Sequence, residues 1–226
     1  PTGLGTNIYN TLAASAFCLL VFDPFLIMSV GFQLSYLAVI GIVYLQPGLY
    51  RLWEPQNRVL DEVWKITCVS IAAQVATFGL GLLYFHQFPN YFLLSNLLVI
   101  PGSFLVLIAG LMVLIFSFLE MLAYVLGFVL TWLIKLLNAV VFTMEAFPFS
   151  LVEDIHITVF QCWALMGLMI VVILLIERKR FAYAISAFIL VGIFAGMQWI
   201  HHYNEIEVRK ITVYKVPGHT AIDLID

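Results

Sequence analysis

The chain has 226 residues, 63% hydrophobic and only 10% charged, with a formal net charge of -3 and a mean hydropathy of +1.06. A soluble domain carries about 25% charged residues, so a soluble globular protein is excluded and an integral membrane protein is indicated. Several apolar runs exceed about 18 residues, which favours helical spans over a barrel.

In chain order, Asn7 to Phe22 is apolar but short for a full crossing, with a small-residue patch at Ala13, Ala14, Ser15 and Ala16. Asp23 to Leu45 is long enough to span. Pro24 fits a first helical turn that Asp23 caps. Gly31 and Gly41 suit close helix packing. Gln33, Ser35 and Tyr36 make this span partly polar, and a side-chain amide facing hydrocarbon without a partner is costly. Gln33 is therefore expected to face other helices or a wet cavity. Gln46 to Asp61 reads as a polar connection, with Tyr50 and Trp53 suited to an interface belt and room for a short helix in the membrane plane.

Glu62 to Phe85 is the next span. Ser70, Gln74 and Thr77 are spaced four and three apart, so they share one face pointing into the bundle. His86 to Asn90 breaks the chain. Tyr91 to Ile100 is too short to span, Pro101-Gly102 interrupts it, and Ser103 to Phe118 continues. This is either one kinked span or a discontinuous helix of the kind found at transport sites. Ser95, Asn96, Pro101 and Gly102 are thereby placed near the functional centre. Leu119 to Phe142 spans, Thr143 to Ile157 is an acidic loop, Thr158 to Ile176 spans, Glu177 to Arg180 is a charged turn, and Phe181 to Ile200 spans again.

The expected fold is an all-α polytopic membrane protein of about seven transmembrane or partly re-entrant helices, followed by a short β-like tail. In that tail, Ile211 to Asp226 alternates apolar and polar residues around a turn at Pro217-Gly218. Residues 1–203 read as a membrane domain truncated at its N-terminal end. Residues 204–226 read as a linker and the first strand of a following soluble domain. The basic turn Glu177 to Arg180 is expected in the cytoplasm by the positive-inside rule. The Arg51/Arg58 loop then also falls inside, and the Thr143–Ile157 loop and the tail fall outside.

The sequence offers little catalytic chemistry. There is no Walker motif and no HExxH. His86, His201 and His202 lack carboxylates at metal-ligand spacing, and no metal and no cofactor are expected. Cys18, Cys68 and Cys162 lie in apolar runs without a CxxC pair and read as small hydrophobes. This segment is expected not to be an enzyme. Gln33, Tyr36, Gln74, Ser95 and Asn96 line a polar path or make interhelical hydrogen bonds. Asp23, Pro24, Gly31, Pro101 and Gly102 form caps and hinges. Arg51 and Arg58 serve as topology signals or phosphate contacts.

Two stretches carry a resemblance. DPFLIMSVGFQLSYLAVIGI (Asp23–Ile42), preceded by NTLAASAFCLLVF, and QVATFGLGLLYFHQFPNYFLLSNLLVIP (Gln74–Pro101) are similar to the membrane competence domain of the ComEC/Rec2 family. The closing ITVYKVPGHTAIDLID resembles the entry to the lactamase-like domain that often follows. The positions that carry over are Asp23, Pro24, Gly31, Phe32, Gln33, Ser35, Gln74, Phe88, Asn96 and Pro101. Gly79 stands where the family often has proline. The resemblance implies an inner-membrane channel passing single-stranded DNA into the cytoplasm during natural transformation. Its implied partners are single-stranded DNA as cargo, the lipid bilayer, other competence proteins and a cytoplasmic DNA motor. The chain is poor in basic residues for that role, since phosphate contacts use Lys and Arg. The alternatives are a secondary transporter for a small solute, or a membrane anchor for a hydrolase domain.

Overall fold

The computed structural model describes residues 7–207, 210–216 and 219–225, with side chains described through residue 199. The chain divides into two compact units, Pro1–Ile157 and Thr158–Asp226. Seven α-helices dominate the described residues. Six of them, α2 (Val30–Tyr50), α3 (Arg58–Phe85), α4 (Phe92–Ile115), α5 (Glu120–Glu145), α6 (Val159–Arg178) and α7 (Phe181–Glu207), are long and apolar enough to cross a membrane. The first, α1 (Ile8–Phe22), has 15 residues, about 22 Å at 1.5 Å per residue, which is short of the roughly 30 Å hydrocarbon core.

The packing is that of a protein built for lipid. Phe104, Leu114, Phe128 and Phe188 are turned outward, whereas the buried positions of the first unit are mostly small: Gly41, Cys68, Ser70, Ala72 and Gly79. In a bilayer no hydrophobic force drives helices together, so close approach of backbones does. Gly41 shows this directly. A Cβ there would run into the Ala76 side chain and sit 3.0 Å from the Ala72 carbonyl, so α2 rests on the backbone of α3. Gly102 of α4 makes room for the Leu137 side chain of α5, which an added Cβ would meet. Gly31 does not share this role. It lies in the first turn of α2 with nothing within 4 Å of an added Cβ. Gly31→Ala is therefore expected to leave thermal stability unchanged or raise it by about 0.5–1 kcal/mol, the helix-propensity gain, as read by heating detergent-solubilised protein.

The structure corrects the sequence reading in three places. First, Asp23 to Leu45 is not one helix. Asp23 caps a 3-10 turn, Pro24–Met28, by accepting from Phe25 N at 3.0 Å, and α2 restarts at Val30 under a Ser29 cap on Phe32 N. Gln33 thus stands near the start of its helix, not near its middle. Second, α2 runs through Pro47 and Gly48 to Tyr50, so the connection shrinks to residues 51–57 and holds no in-plane helix. The Tyr50 hydroxyl donates to Asp61, and Trp64 Nε1 donates to the Tyr50 carbonyl at 3.2 Å. These bonds hold the end of α2 against α3 despite the proline. Asp61 and Glu62 both pair with Lys65, at 2.7 and 2.9 Å, and Trp53 meets Trp64 edge-on at 5.5 Å. Third, α4 is continuous across Pro101-Gly102, which removes the discontinuous helix. Gly102 lies against the Leu137 side chain of α5 next to the proline, and the helix runs on with one missing N–H.

At one end of the first unit two connections are stitched together. Phe88–Pro89 (β1) pairs antiparallel with Leu151–Val152 (β2). Asn90 N donates to the Ser150 carbonyl at 2.9 Å, Asn90 Nδ2 to the Phe149 carbonyl at 2.7 Å, and Tyr91 Oη to the Pro148 carbonyl at 3.1 Å. His86 takes a left-handed backbone, φ 55, closing α3. Phe88 packs edge-on against Phe78, 5.4 Å away, so the connection doubles back along α3 by about 10 Å at 1.5 Å per residue.

In the second unit, α6 opens with a full capping box between Thr158 and Gln161, and Gln161 Nε2 donates to Gln198 Oε1 of α7 at 2.8 Å. Helix α7 continues past residue 203 to Glu207. Lys210–Val216 (β3) then pairs antiparallel with His219–Ile225 (β4), so the strand-like tail finds its partner within itself. The turn expected at Pro217-Gly218 lies outside the described residues.

Candidate functional site

The polar stripe of α3 has a cavity in front of it. A space of about 530 Å³ is lined by Leu34, Ser35 and Ala38 of α2, by Gln74, Thr77 and Phe78 of α3, and by Gln87 and Phe88 of the stitched connection. It bears no charged side chain. The Thr77 hydroxyl is satisfied by the Ala73 carbonyl at 2.8 Å. The side chains of Ser35, Gln74 and Gln87 make no hydrogen bond with protein among the described residues. Amides in such a position remain available to a guest, because a polar group beside hydrocarbon seeks a partner. Phe78 and Phe88 present aromatic surface at the same site.

The other residues singled out from sequence are dispersed. Gln33 is engaged at both ends of its amide: Nε2 donates to the Ile27 carbonyl at 2.8 Å, and Oε1 accepts from Tyr84 Oη at 2.8 Å. It ties the 3-10 corner to α3 and is not among the residues lining the cavity. Tyr36 shares a hydrogen bond with Ser15 at 2.9 Å and lies over Phe32 with ring centroids 4.4 Å apart, joining α1 to α2. Ser95 lines a separate, smaller space of about 210 Å³ between α4, α5 and the 146–157 connection. Asn96 is half-buried on α4 and makes no side-chain hydrogen bond among the described residues. Asp23 and Pro24 form the corner cap.

Arg51 closes α2 and Arg58 begins α3; both are exposed and neither is ion-paired among the described residues. Arg58 borders a second cavity, about 460 Å³, with Val59, Glu62, Val63 and Ile66 of α3 and with Leu97 and Pro101 of α4. Sequence reasoning gave no role to Ser35 as a lining residue or to Gln87. Ser35 follows the conspicuous Gln33 by two positions and so faces another side of the helix. Gln87 lies in an irregular connection whose fold-back no periodicity announces.

Among the described residues no three His, Cys, Asp or Glu side chains converge as a metal site would require. His86 and His156 lie at the stitched end with ring centroids 5.0 Å apart and planes tilted by 54°.

The family model described as competence protein matches residues 3–182, most of the chain. This chain belongs to that competence-protein family. No curated protein and no solved structure matches it. In this competence protein the matched range takes in α1 to α6, and therefore both α3 cavities and the stitched connections.

Proposed function

We propose that this polytopic membrane protein is the membrane-domain part of a ComEC/Rec2-type DNA channel, passing single-stranded DNA across the cytoplasmic membrane during natural transformation. Membership of the competence family supports the cargo. The observation that carries the site is the uncharged cavity with free amides at Gln74 and Gln87 and the rings of Phe78 and Phe88. Unpaired bases stack on aromatic rings whatever their identity, and amides offer donors and acceptors to any base edge. A conduit must also release its cargo, which suits a site without fixed positive charge.

In this reading the stitched end faces outward. The positive-inside assignment puts the 86–91 and 146–157 connections on the same side, and their strand pairing agrees with that parity. The tail after α7 would share that outer side. Other competence proteins and a cytoplasmic motor would supply DNA and pull, and we assign no reaction and no cofactor to this segment. The solute-transporter alternative rested on a broken helix and on the Ser70, Gln74, Thr77 stripe; the stripe stands, but α4 is unbroken.

The test is a transformation assay in the native host, comparing the intact gene, a clean deletion, and the deletion complemented with Gln74→Leu. Surface-bound and cytoplasmic DNA are scored separately. Gln74→Leu is expected to leave surface binding and protein level intact while lowering internalised DNA about tenfold, the effect of a greasy block in a polar path. Normal internalisation by Gln74→Leu would remove this cavity from the path. Normal transformation by the deletion strain would reject the channel itself.

A further inference from the structure

The two α3 cavities share part of one face of that helix, the first walled opposite by α4 and the second by α2 and the stitched connection. At about 100° per residue, Glu62, Ile66, Ser70, Gln74 and Thr77 fall within an arc of about 120°. Glu62 and Ile66 border the cavity at the start of α3; Gln74 and Thr77 border the cavity at its end. Ser70 stands between them, one turn from each, about 6 Å either way. It is 3% exposed, and its hydroxyl has no hydrogen-bond partner among the described residues. Cys68 and Ala72, two residues to either side, are also fully buried, but they lie about 160° round the helix, on the opposite face.

Each element of this arrangement has its own physical demand. The start-side cavity is bordered by Glu62, already paired with Lys65, and by Arg58, which has no ion pair among the described residues; a charged group beside membrane helices requires water or a partner. Pro101, on its opposite wall, offers no N–H to the Leu97 carbonyl, which adds an acceptor there. The end-side cavity has amides without protein partners. Between the two cavities the Ser70 hydroxyl is buried with no partner among the described residues, which is unfavourable for a group that both donates and accepts. A serine can recover that cost against its own helix, as Thr67 does on Val63 and Thr77 on Ala73, each at 2.8 Å. Ser70 does not.

We propose that this face of α3 is a single water-lined path through the first unit, closed at rest by the layer at Ser70, and that the passing strand contacts the Ser70 hydroxyl when the layer parts. The second half of this rests on the DNA-channel reading; the water path does not.

The experiment uses the whole protein in its native membrane, with Cys18, Cys68 and Cys162 replaced by alanine. Val63→Cys, Ser70→Cys and Thr77→Cys are introduced singly. Phe104→Cys, at a 62% exposed position on α4, is the lipid-facing control. A charged, membrane-impermeant methanethiosulfonate is applied to intact spheroplasts and to inverted vesicles. Thr77→Cys is expected to react from one side only and Val63→Cys from the other. Ser70→Cys is expected to react from neither at rest and about tenfold faster from the outer side while DNA is being taken up, as a parting constriction requires.

Val63→Cys or Thr77→Cys reacting no faster than Phe104→Cys would overturn the water path, as would labelling of both from one side. Ser70→Cys reacting freely at rest would overturn the closed layer. The two-sided pattern with a Ser70→Cys rate indifferent to DNA would overturn contact with the strand. A Ser70→Leu plug supplies the independent check. It is expected to stop uptake while Thr77→Cys in the same background still labels, and unimpaired uptake by the plugged protein would count against the constriction.

Discussion

Gly41→Val is expected to force α2 away from α3 and to lower the thermal stability of the folded protein. The glycine faces the Ala76 side chain and the Ala72 carbonyl with no space for a single carbon, so a branched side chain must move a backbone. Overpacking of this kind costs about 1–3 kcal/mol, against a total stability of about 5–15 kcal/mol. The loss falls on the contact that also holds the end-side cavity, because Leu34, Ser35 and Ala38 approach Gln74 and Thr77 through the same pair of helices. Retention of monodisperse, detergent-solubilised protein after heating reads the effect. Gly41→Ala should do the same to a lesser degree, and Ala76→Gly should partly rescue it, since the Ala72 carbonyl stays 3.0 Å away. An unchanged melting profile for Gly41→Val and Gly41→Ala would reject this account of the helix contact.

Gln161→Leu carries the largest expected loss in the second unit. Gln161 is 1% exposed. Its Oε1 accepts from Thr158 N at 2.7 Å, its backbone N donates to Thr158 Oγ1 at 3.3 Å, and its Nε2 donates to Gln198 Oε1 at 2.8 Å. Leucine fills the space but strands the Thr158 N–H and the Gln198 carbonyl oxygen. A lost cap costs about 0.5–2 kcal/mol and a buried orphan about 1–3 kcal/mol, so about 2 kcal/mol or more is expected. Hydrogen exchange of the first-turn amides of α6 is the measurement. Gln198→Leu removes the cross-helix bond and leaves the cap, so it should raise exchange less. Equal acceleration by both variants would show that the reciprocal cap contributes nothing.

The membrane character of the protein, its helix count and the short first segment were legible from sequence because each is a matter of length and composition. A run of apolar residues must become a helix in a bilayer, where every backbone group needs a partner within its own segment. The stripe Ser70, Gln74, Thr77 was legible for the same kind of reason: a period near four marks one face. The family was legible from two ordered motifs, and the competence model covers them both.

What sequence could not settle was continuity and partnership, because both depend on what stands opposite. Proline at 47 and at 101 reads as a break, yet both helices run on. One is held by Tyr50, Asp61 and Trp64, and in the other Gly102 lies against the Leu137 side chain next to the proline. Asp23 and Pro24 do cap a helix, but Ser29 starts a second one four residues after Phe25, and only the folded corner shows that Gln33 is consumed in bracing it. Gln33 and Gln74 look alike as amides in apolar runs. Tyr84 hydrogen-bonds the first, and among the described residues no protein group hydrogen-bonds the second. The sequence by itself determined which segments must be helices and which faces are polar, since those follow from local chemistry and the bilayer. Only the tertiary structure decided which polar groups are spent on holding helices together and which are left facing a cavity, since a hydrogen bond needs both its ends.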